Sequence, residues 1–539
     1  MLGGILTLVK VILRQERLKL TLWVVGIVGL LVAMVPMLSD LYSDSSELGV
    51  MYKSFESNPA GLFITGPMDY PTFGGLMTIE TIIWWGIAIA LLNTFFIVRH
   101  TRRNEESGIQ DIVMATPVSR TSGLWAAVLI AIDLNIIISV LIGLSFSFFT
   151  DFWTVEQAWL YGIAFGSFGL LWSGIAAAAV QLFESARTVN GFIALLLGLS
   201  FVLRGIGDSL GKIGPDGLLE AHWLSYISPL GWLQQARPLT APEWWPVVLM
   251  LVATLVCFVI SFTLLKTRDV GGALLRPRPG NARSGRLLRS LLGLAIYTQR
   301  NIALAYSFGL LLLTSTVGVL AGDMTDILDG SKEMSAAFLS AGGQGEMVES
   351  FLSTMLVMAV IVVVGYVING LEKMKSEEIE GRLDNLLSVS VSRQGWMVSH
   401  VLVAVIVSIL MLIAAGGVLA LITNASAGMD LDVLEYTLAG LSYVPLILLI
   451  VGVYLALYWL IPKLVSVLIW VYFGFMTFIA WIGPVLQLDD WIMRISVLSY
   501  MPITPLESPS YQASLVLTLV GLGLMTLGFI AWRRRDLVS

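Results

Sequence analysis

Long apolar runs leave this chain little choice of fold. They fall at roughly 20–38, 77–98, 121–149, 156–182, 187–208, 244–266, 302–321, 352–371, 395–423, 434–460, 463–486 and 512–532. Most approach the ~20 residues a helix needs to cross hydrocarbon, and the longer ones must tilt or project beyond it. Inside a bilayer each backbone N–H and C=O needs a partner within the chain, so runs of this length become helices. Only 13% of the residues are charged, about half the share usual in a soluble domain. The expected fold class is therefore an all-α polytopic membrane protein with 12 transmembrane helices.

The placement of charge orients those spans. With both termini inside, only Lys53, Arg204, Lys212, Arg237, Lys332 and Arg494 of the 31 basic residues fall outside or at outer span ends. Lys and Arg concentrate on the cytoplasmic side of membrane proteins, and the opposite topology would invert the ratio. Acidic residues gather in the predicted external loops, among them Asp44, Glu47, Glu56, Asp489 and Asp490. Residues 1–19 carry Leu2, Ile5, Leu6, Val9 and Leu13 on one side, with Lys10, Arg14, Arg17 and Lys19 following. This pattern predicts an amphipathic interfacial helix. No small-residue cleavage site precedes the first span, so that span is expected to remain as an anchor.

A short polar stretch occurs twice, between spans two and three and between spans eight and nine. At an offset of 273 it shares Glu105 with Glu378, Gly108 with Gly381, Asp111 with Asp384, and a closing Val-Ser-Arg ending in Arg120 and Arg393. Ile109, Ile112 and Val113 fall on one helical face, as do Ile379, Leu383, Leu386 and Leu387. Acidic residues, Glu106 among them, crowd the first turn, where the helix dipole favours them. Two amphipathic helices at equivalent cytoplasmic places suit two docking surfaces for one kind of partner; the plainer reading lays both on the lipid.

Other features repeat as well. Leu224-Ser225-Tyr226 matches Leu498-Ser499-Tyr500, and Arg268-Asp269-Val270 matches Arg535-Asp536-Leu537. The expected organisation is an interfacial helix (1–19), a first six-span half (20–266), a basic cytoplasmic linker (267–300) and a second six-span half (301–539). An even number of spans per half keeps both halves in one orientation, which implies a pseudo-twofold axis along the membrane normal.

Catalytic chemistry is not legible. There is no phosphate-binding Gly-x-x-x-x-Gly-Lys-Ser/Thr and no His-Glu-x-x-His, and the lone Cys257 lies in an apolar run. Leu339-Ser340-Ala341-Gly342-Gly343-Gln344 imitates an ATPase signature but has one residue too many and sits in a predicted external loop. Neither a metal nor a cofactor is expected in this chain, and any use of ATP must come from another one.

The amphipathic N-terminal helix, six spans per half, a helix after the second span and a long external loop before the sixth together resemble ABC-2 type exporter permeases (type V exporter-like). The fused form looks more closely like permeases of the tetronasin or polyketide-antibiotic exporter group. The residues carrying this are Arg102-Arg103-Asn104-Glu105-Glu106-x-Gly108 to Pro117-Val118-Ser119-Arg120, Ser228-Pro229-Leu230-Gly231-Trp232 with Arg237-Pro238, and the closing Arg-Arg-Arg-Asp. The second half departs from the pattern: Ser390 replaces proline, and Met501-Pro502-Ile503-Thr504-Pro505 replaces Ser-Pro-Leu-Gly-Trp. The resemblance implies two copies of a separate ATP-binding subunit, which bind ATP and Mg, docked at residues 104–116 and 377–389. It also implies export of hydrophobic or amphipathic compounds across the cytoplasmic membrane of a bacterium. An ion-coupled transporter of the twelve-span kind is the alternative; its usual loop between spans two and three is not matched by residues 99–120. A non-transporting membrane sensor is a third reading.

By the same resemblance the substrate route would be lined by Trp84, Trp85, Asn93 and Phe96 in span two and by Trp470, Phe473, Phe475 and Phe478 in span eleven. Asp133 lies about halfway along span three, with Asn135 two residues on. A charge at that depth costs at least ~2.5–3.5 kcal/mol and is expected to face protein or water. Two roles fit it: a hydrogen bond tying span three to a neighbour, or a station on the path of a cationic substrate.

Overall fold

The computed structural model describes residues 2–42, 48–49, 52–53, 59–214, 218–269, 271–275, 285–330, 344–388, 391–482, 489–507 and 510–532. The closing Arg535-Asp536-Leu537, most of the signature-like segment, Ser390 and the loop carboxylates Asp44, Glu47 and Glu56 lie outside those residues. Among the described residues 11 helices are long and apolar enough to cross a bilayer, and Val465–Ala480 is a shorter apolar one. The chain divides into two compact units, residues 1–279 and 280–539.

In the first unit the helices are α1 (Leu2–Leu41), α2 (Pro59–Thr65), α3 (Phe73–Val98), α4 (Ile109–Met114), α5 (Ser122–Phe146), α6 (Val155–Leu182), α7 (Ala186–Ser209), α8 (Trp223–Ile227), α9 (Pro229–Gln235) and α10 (Trp245–Thr267). A two-stranded antiparallel ribbon, β1 (Lys212–Ile213) and β2 (Leu219–Glu220), follows α7. Helix α6 is the centre, packing on α3, α5 and α10. Its start is fixed by a capping box, in which Thr154 and Gln157 each accept a hydrogen bond from the other's backbone N–H. Close approach explains its glycines. A Cβ on Gly162 would stand 2.3 Å from the Ser139 carbonyl, and one on Gly169 would stand 2.0 Å from Asn135 Oδ1. Small residues at such spacing let helix backbones touch where lipid offers no hydrophobic drive.

Helix α1 runs without a break at its start. The amphipathic stretch 1–19 and the first span form one continuous 40-residue helix. The polar residues between Lys10 and Lys19 are good helix formers, so nothing breaks the backbone at the interface.

Far from α4, the end of α7 carries a buried polar knot. Arg204 and Asp208 are both 0% exposed and 3.3 Å apart. Arg204 donates to the carbonyls of Leu62, Phe63 and Ile64 at the end of α2. Asp208 accepts from Ser225 at 2.9 Å and Gln234 at 3.1 Å. Together these bonds hold α2, α8 and α9 on α7. Ser228, in the family-like stretch, caps α9 and donates to the Ser200 carbonyl at 2.6 Å.

The second unit holds α11 (Leu291–Gly330), α12 (Gln344–Ile379), α13 (Arg382–Leu387), α14 (Arg393–Ala427), α15 (Val433–Leu441), α16 (Val444–Leu460), α17 (Val465–Ile482) and α18 (Tyr511–Trp532). Helix α12 packs on α11, α14, α16 and α17, and α16 packs on α18. Near the start of α14, Trp532 stacks between Trp396 and Tyr458, with ring centroids 6.2 Å and 5.2 Å away.

Candidate functional site

Both repeated polar stretches fold into the same elbow. Helix α3 runs on through a π turn at Arg99–Arg103 and a helical turn at Asn104–Glu106. Gly108 then turns left-handed (φ 74°) and leads into α4. Helix α12 runs to Ile379, Gly381 turns left-handed (φ 67°), and α13 follows. Two turn bonds correspond: Gly108 N–H to Glu105 C=O (3.2 Å) with Gly381 N–H to Glu378 C=O (3.0 Å), and Ala115 N–H to Asp111 C=O (3.1 Å) with Ser388 N–H to Asp384 C=O (3.0 Å). A positive φ strains any residue with a Cβ, so both turns call for glycine.

What anchors the elbows differs. Glu105 accepts from Arg268 on both oxygens, at 2.5 and 2.9 Å, and from Arg102 at 2.7 Å. Arg102 (1% exposed) also donates to the carbonyls of Glu184, Gly271 and Gly272. Arg268 adds a 2.7 Å bond to Gln181. The chain beyond α10 is stitched to the end of α6 by Leu275 N–H to Leu182 C=O at 2.9 Å. Glu106 accepts from the Ala186 N–H at 2.7 Å, a carboxylate at the N-terminus of α7 where the helix dipole favours it. In the second elbow Glu378 is buried and accepts from the Tyr458 hydroxyl. Arg382 pairs with Glu377 at 2.8 Å and also with Glu380. The Glu377 hydrogen bond pushes the Arg382 guanidinium above its ordinary pKa.

The exposed surfaces differ too. Ile109 (48%) and Ile112 (73%) point away from the first unit. In the second elbow Leu383 is buried and Leu386 and Leu387 are half-buried, leaving Ile379, Arg382, Asp384 and Asn385 outside. Asp111 and Arg393 are exposed, while Arg120 is half-buried. Glu105 and Glu378, named from the sequence as partner-facing, are thus held inside their own units, so reversing their charge would disturb folding first.

Among the span residues, Asn93 and Asn135 are buried and face each other. Asn135 donates to Asn93 at 2.6 Å, Asn93 donates back at 3.2 Å, and Ser173 donates to Asn93 at 2.7 Å. This pair braces α3, α5 and α6. Phe96 is buried as well. Asp133 sits on the other face of α5 and is exposed, among exposed Leu129, Ile136 and Ile137. Trp84 is exposed and Trp85 half-buried; Trp470 and Phe478 are exposed, and Phe473 and Phe475 half-buried. Reading the sequence missed the Arg102–Glu105–Arg268 clamp and the Arg204–Asp208 pair. The repeated Arg268-Asp269 was a signal for the first, and the i, i+4 spacing for the second.

Two comparisons bear on this arrangement. Residues 288–533 match the family model for the C-terminal domain of the multidrug efflux system permease Rv1217c. The whole chain is similar to the multidrug efflux system permease protein Rv1217c of Mycobacterium tuberculosis, 28% identical over 99% of this chain and 95% of that protein. Both likenesses are to one multidrug efflux system permease, the family model to its C-terminal domain and the relative along its whole length. Among the described residues no group of three or more His, Cys, Asp or Glu is placed to hold a metal.

Proposed function

We propose that this chain is the membrane permease of an ATP-driven exporter, in the fused twelve-span form, moving hydrophobic or amphipathic compounds outward. Separate ATP-binding subunits, which bind the ATP and Mg, dock beneath the elbows at 104–116 and 377–389. The observation that carries this reading is the pair of elbows, each turning at a left-handed glycine and each ending in exposed side chains. The full-length similarity to a multidrug efflux permease supports the same role. In this reading the exposed Ile109 and Ile112 enter a groove on the partner, as amphipathic helices do, while the second elbow offers mainly polar groups. The two docking sites are alike in backbone and unlike in surface.

The test is to purify the tagged full-length chain and identify what accompanies it. An ABC ATP-binding subunit whose ATPase activity depends on this chain, and whose nucleotide drives transport of amphipathic compounds in vesicles, is the expected result. Transport driven by a proton or sodium gradient, with no need of ATP, would overturn it.

A further inference from the structure

Helices α1 and α3 leave a groove on the first unit. Leu22, Trp23, Gly26 and Leu30 of α1 face Trp85 and Ala88 of α3 across an apolar cleft of about 280 Å³. Trp23 also walls a second hollow, lined further by Glu16, Lys19, Phe95 and Arg99. Trp23 lines both hollows, so the apolar cleft and the hollow with charged lining are neighbours along α1. From Lys19 to Leu30 a helix rises about 16 Å, close to half of the ~30 Å hydrocarbon thickness. The stretch of α1 that lines the two hollows is therefore as long as one leaflet is deep.

The charged end has a sign. Glu16 is 5% exposed, and its carboxylate lies 3.1 Å from Arg99, 3.6 Å from Lys19 and 3.7 Å from the buried His100. Two cations thus share one carboxylate, and both keep an exposed side: Lys19 at 54% and Arg99 at 46%. The site as built suits an anion, since a cationic head would meet two like charges. The second half does not repeat it: at the offset of 273, Arg99 is replaced by Glu372 and Phe95 by Ile368.

We propose that this groove seats one anionic phospholipid from the leaflet at the α4 end. Lys19 and Arg99 hold its phosphate, and one acyl chain lies along Trp23, Gly26 and Trp85. By the distribution of basic residues this is the cytoplasmic leaflet, whose anionic lipids attract such cations. The site is independent of what the chain transports. Gly26 offers a clean block, because nothing lies within 4 Å of where its Cβ would stand. A leucine there starts from that open position and projects into the cleft that Gly26 lines.

The experiment uses the full-length chain, delipidated in detergent, with phosphatidylglycerol or phosphatidylcholine of matched chain length added back. Phosphatidylglycerol raises Tm by several degrees, as a ligand of the folded state does, and phosphatidylcholine has much less effect. Native mass spectrometry shows one retained phosphatidylglycerol. Gly26→Leu keeps the lipid-free Tm and loses most of the rise and the retained lipid; Lys19→Gln/Arg99→Gln loses the preference for phosphatidylglycerol. Equal responses to the two lipids, or a full response in Gly26→Leu, would overturn the proposal. So would displacement of the retained lipid by a transported acidic amphiphile, which would make the groove a substrate station.

Discussion

Glu105 and Glu378 occupy matched places in two elbows with the same backbone, yet Glu105 binds two guanidinium groups and Glu378 accepts from a tyrosine hydroxyl. The contrast runs on to the surface, where Ile109 and Ile112 of one elbow match Arg382 and Asn385 of the other at the offset of 273. At the far end it sharpens: Arg204 and Asp208 are buried as a pair in the first unit, and the matched positions hold Thr477 and Trp481. The left-handed glycine turn is common to both elbows. The side chains around it differ: two arginines converge on Glu105, whereas Glu378 takes a tyrosine hydroxyl and its neighbour Glu377 takes Arg382.

The largest effect expected from this contrast is at Arg204. Arg204→Met strands a fully buried carboxylate, and breaking a buried pair in this way costs about 3–5 kcal/mol. Thermal unfolding of purified protein should show a large drop or no folded material, and Arg204→Met/Asp208→Leu should recover most of it. Thr477→Val removes one hydroxyl bond to Phe473 C=O (2.9 Å) and should cost only about 1 kcal/mol. Comparable losses at the two positions would erase the distinction between the units.

Next comes the clamp. Glu105→Gln replaces charged hydrogen bonds to two arginines and is expected to cost ~2–3 kcal/mol, whereas Glu378→Gln weakens a bond from a neutral donor, at about 1 kcal/mol. Hydrogen exchange across residues 104–116 should rise in the first variant, and across 377–388 much less in the second. If Glu378→Gln proves the more damaging, the tyrosine hydroxyl is not what chiefly holds Glu378.

The backbone itself should respond equally in both. Gly108 and Gly381 have φ of 74° and 67° with nothing near a would-be Cβ, so alanine meets strain and no clash. Each Gly→Ala change should cost roughly 1–2 kcal/mol, the price of the left-handed region for an L-residue. Stability differing widely between the two variants would mean that the elbows share less than their hydrogen bonds suggest.

What the sequence made legible follows the same division. The spans were readable because a bilayer permits few backbones, and the elbows because a positive φ selects glycine at 108 and 381. Asp133 and Asn135 were named together from the sequence, and the structure sets them apart: Asn135 is buried against Asn93 and Asp133 is exposed. The Glu105 clamp was hidden because Arg268 is 163 residues away, and sequence carries no distance of that kind. Arg204 looked like an ordinary external basic residue, because burial depends on how α2, α8 and α9 fold back over α7. The continuity of α1 was missed for a simpler reason: polar residues at an interface do not by themselves end a helix.

The smallest effect on stability is the most informative for function. Ile109 and Ile112 make no demand on the fold, being 48% and 73% exposed, and exposed substitutions of this kind usually change stability by less than ~0.5 kcal/mol. Ile109→Arg/Ile112→Asn would give the first elbow the side chains of the second at those two places. If the apolar pair enters a partner groove, the variant should retain its Tm but recover less ATP-binding subunit and lose several-fold in transport-coupled ATPase activity. The reverse exchange, Arg382→Ile/Asn385→Ile, removes the pairing with Glu377 and Glu380 but adds apolar surface, so it should hold the partner at least as well. Unchanged recovery and coupling in the first exchange would mean that the exposed isoleucines are not the contact. Docking would then rest on what the elbows have in common, with Asp111 and Asp384 the next residues to change.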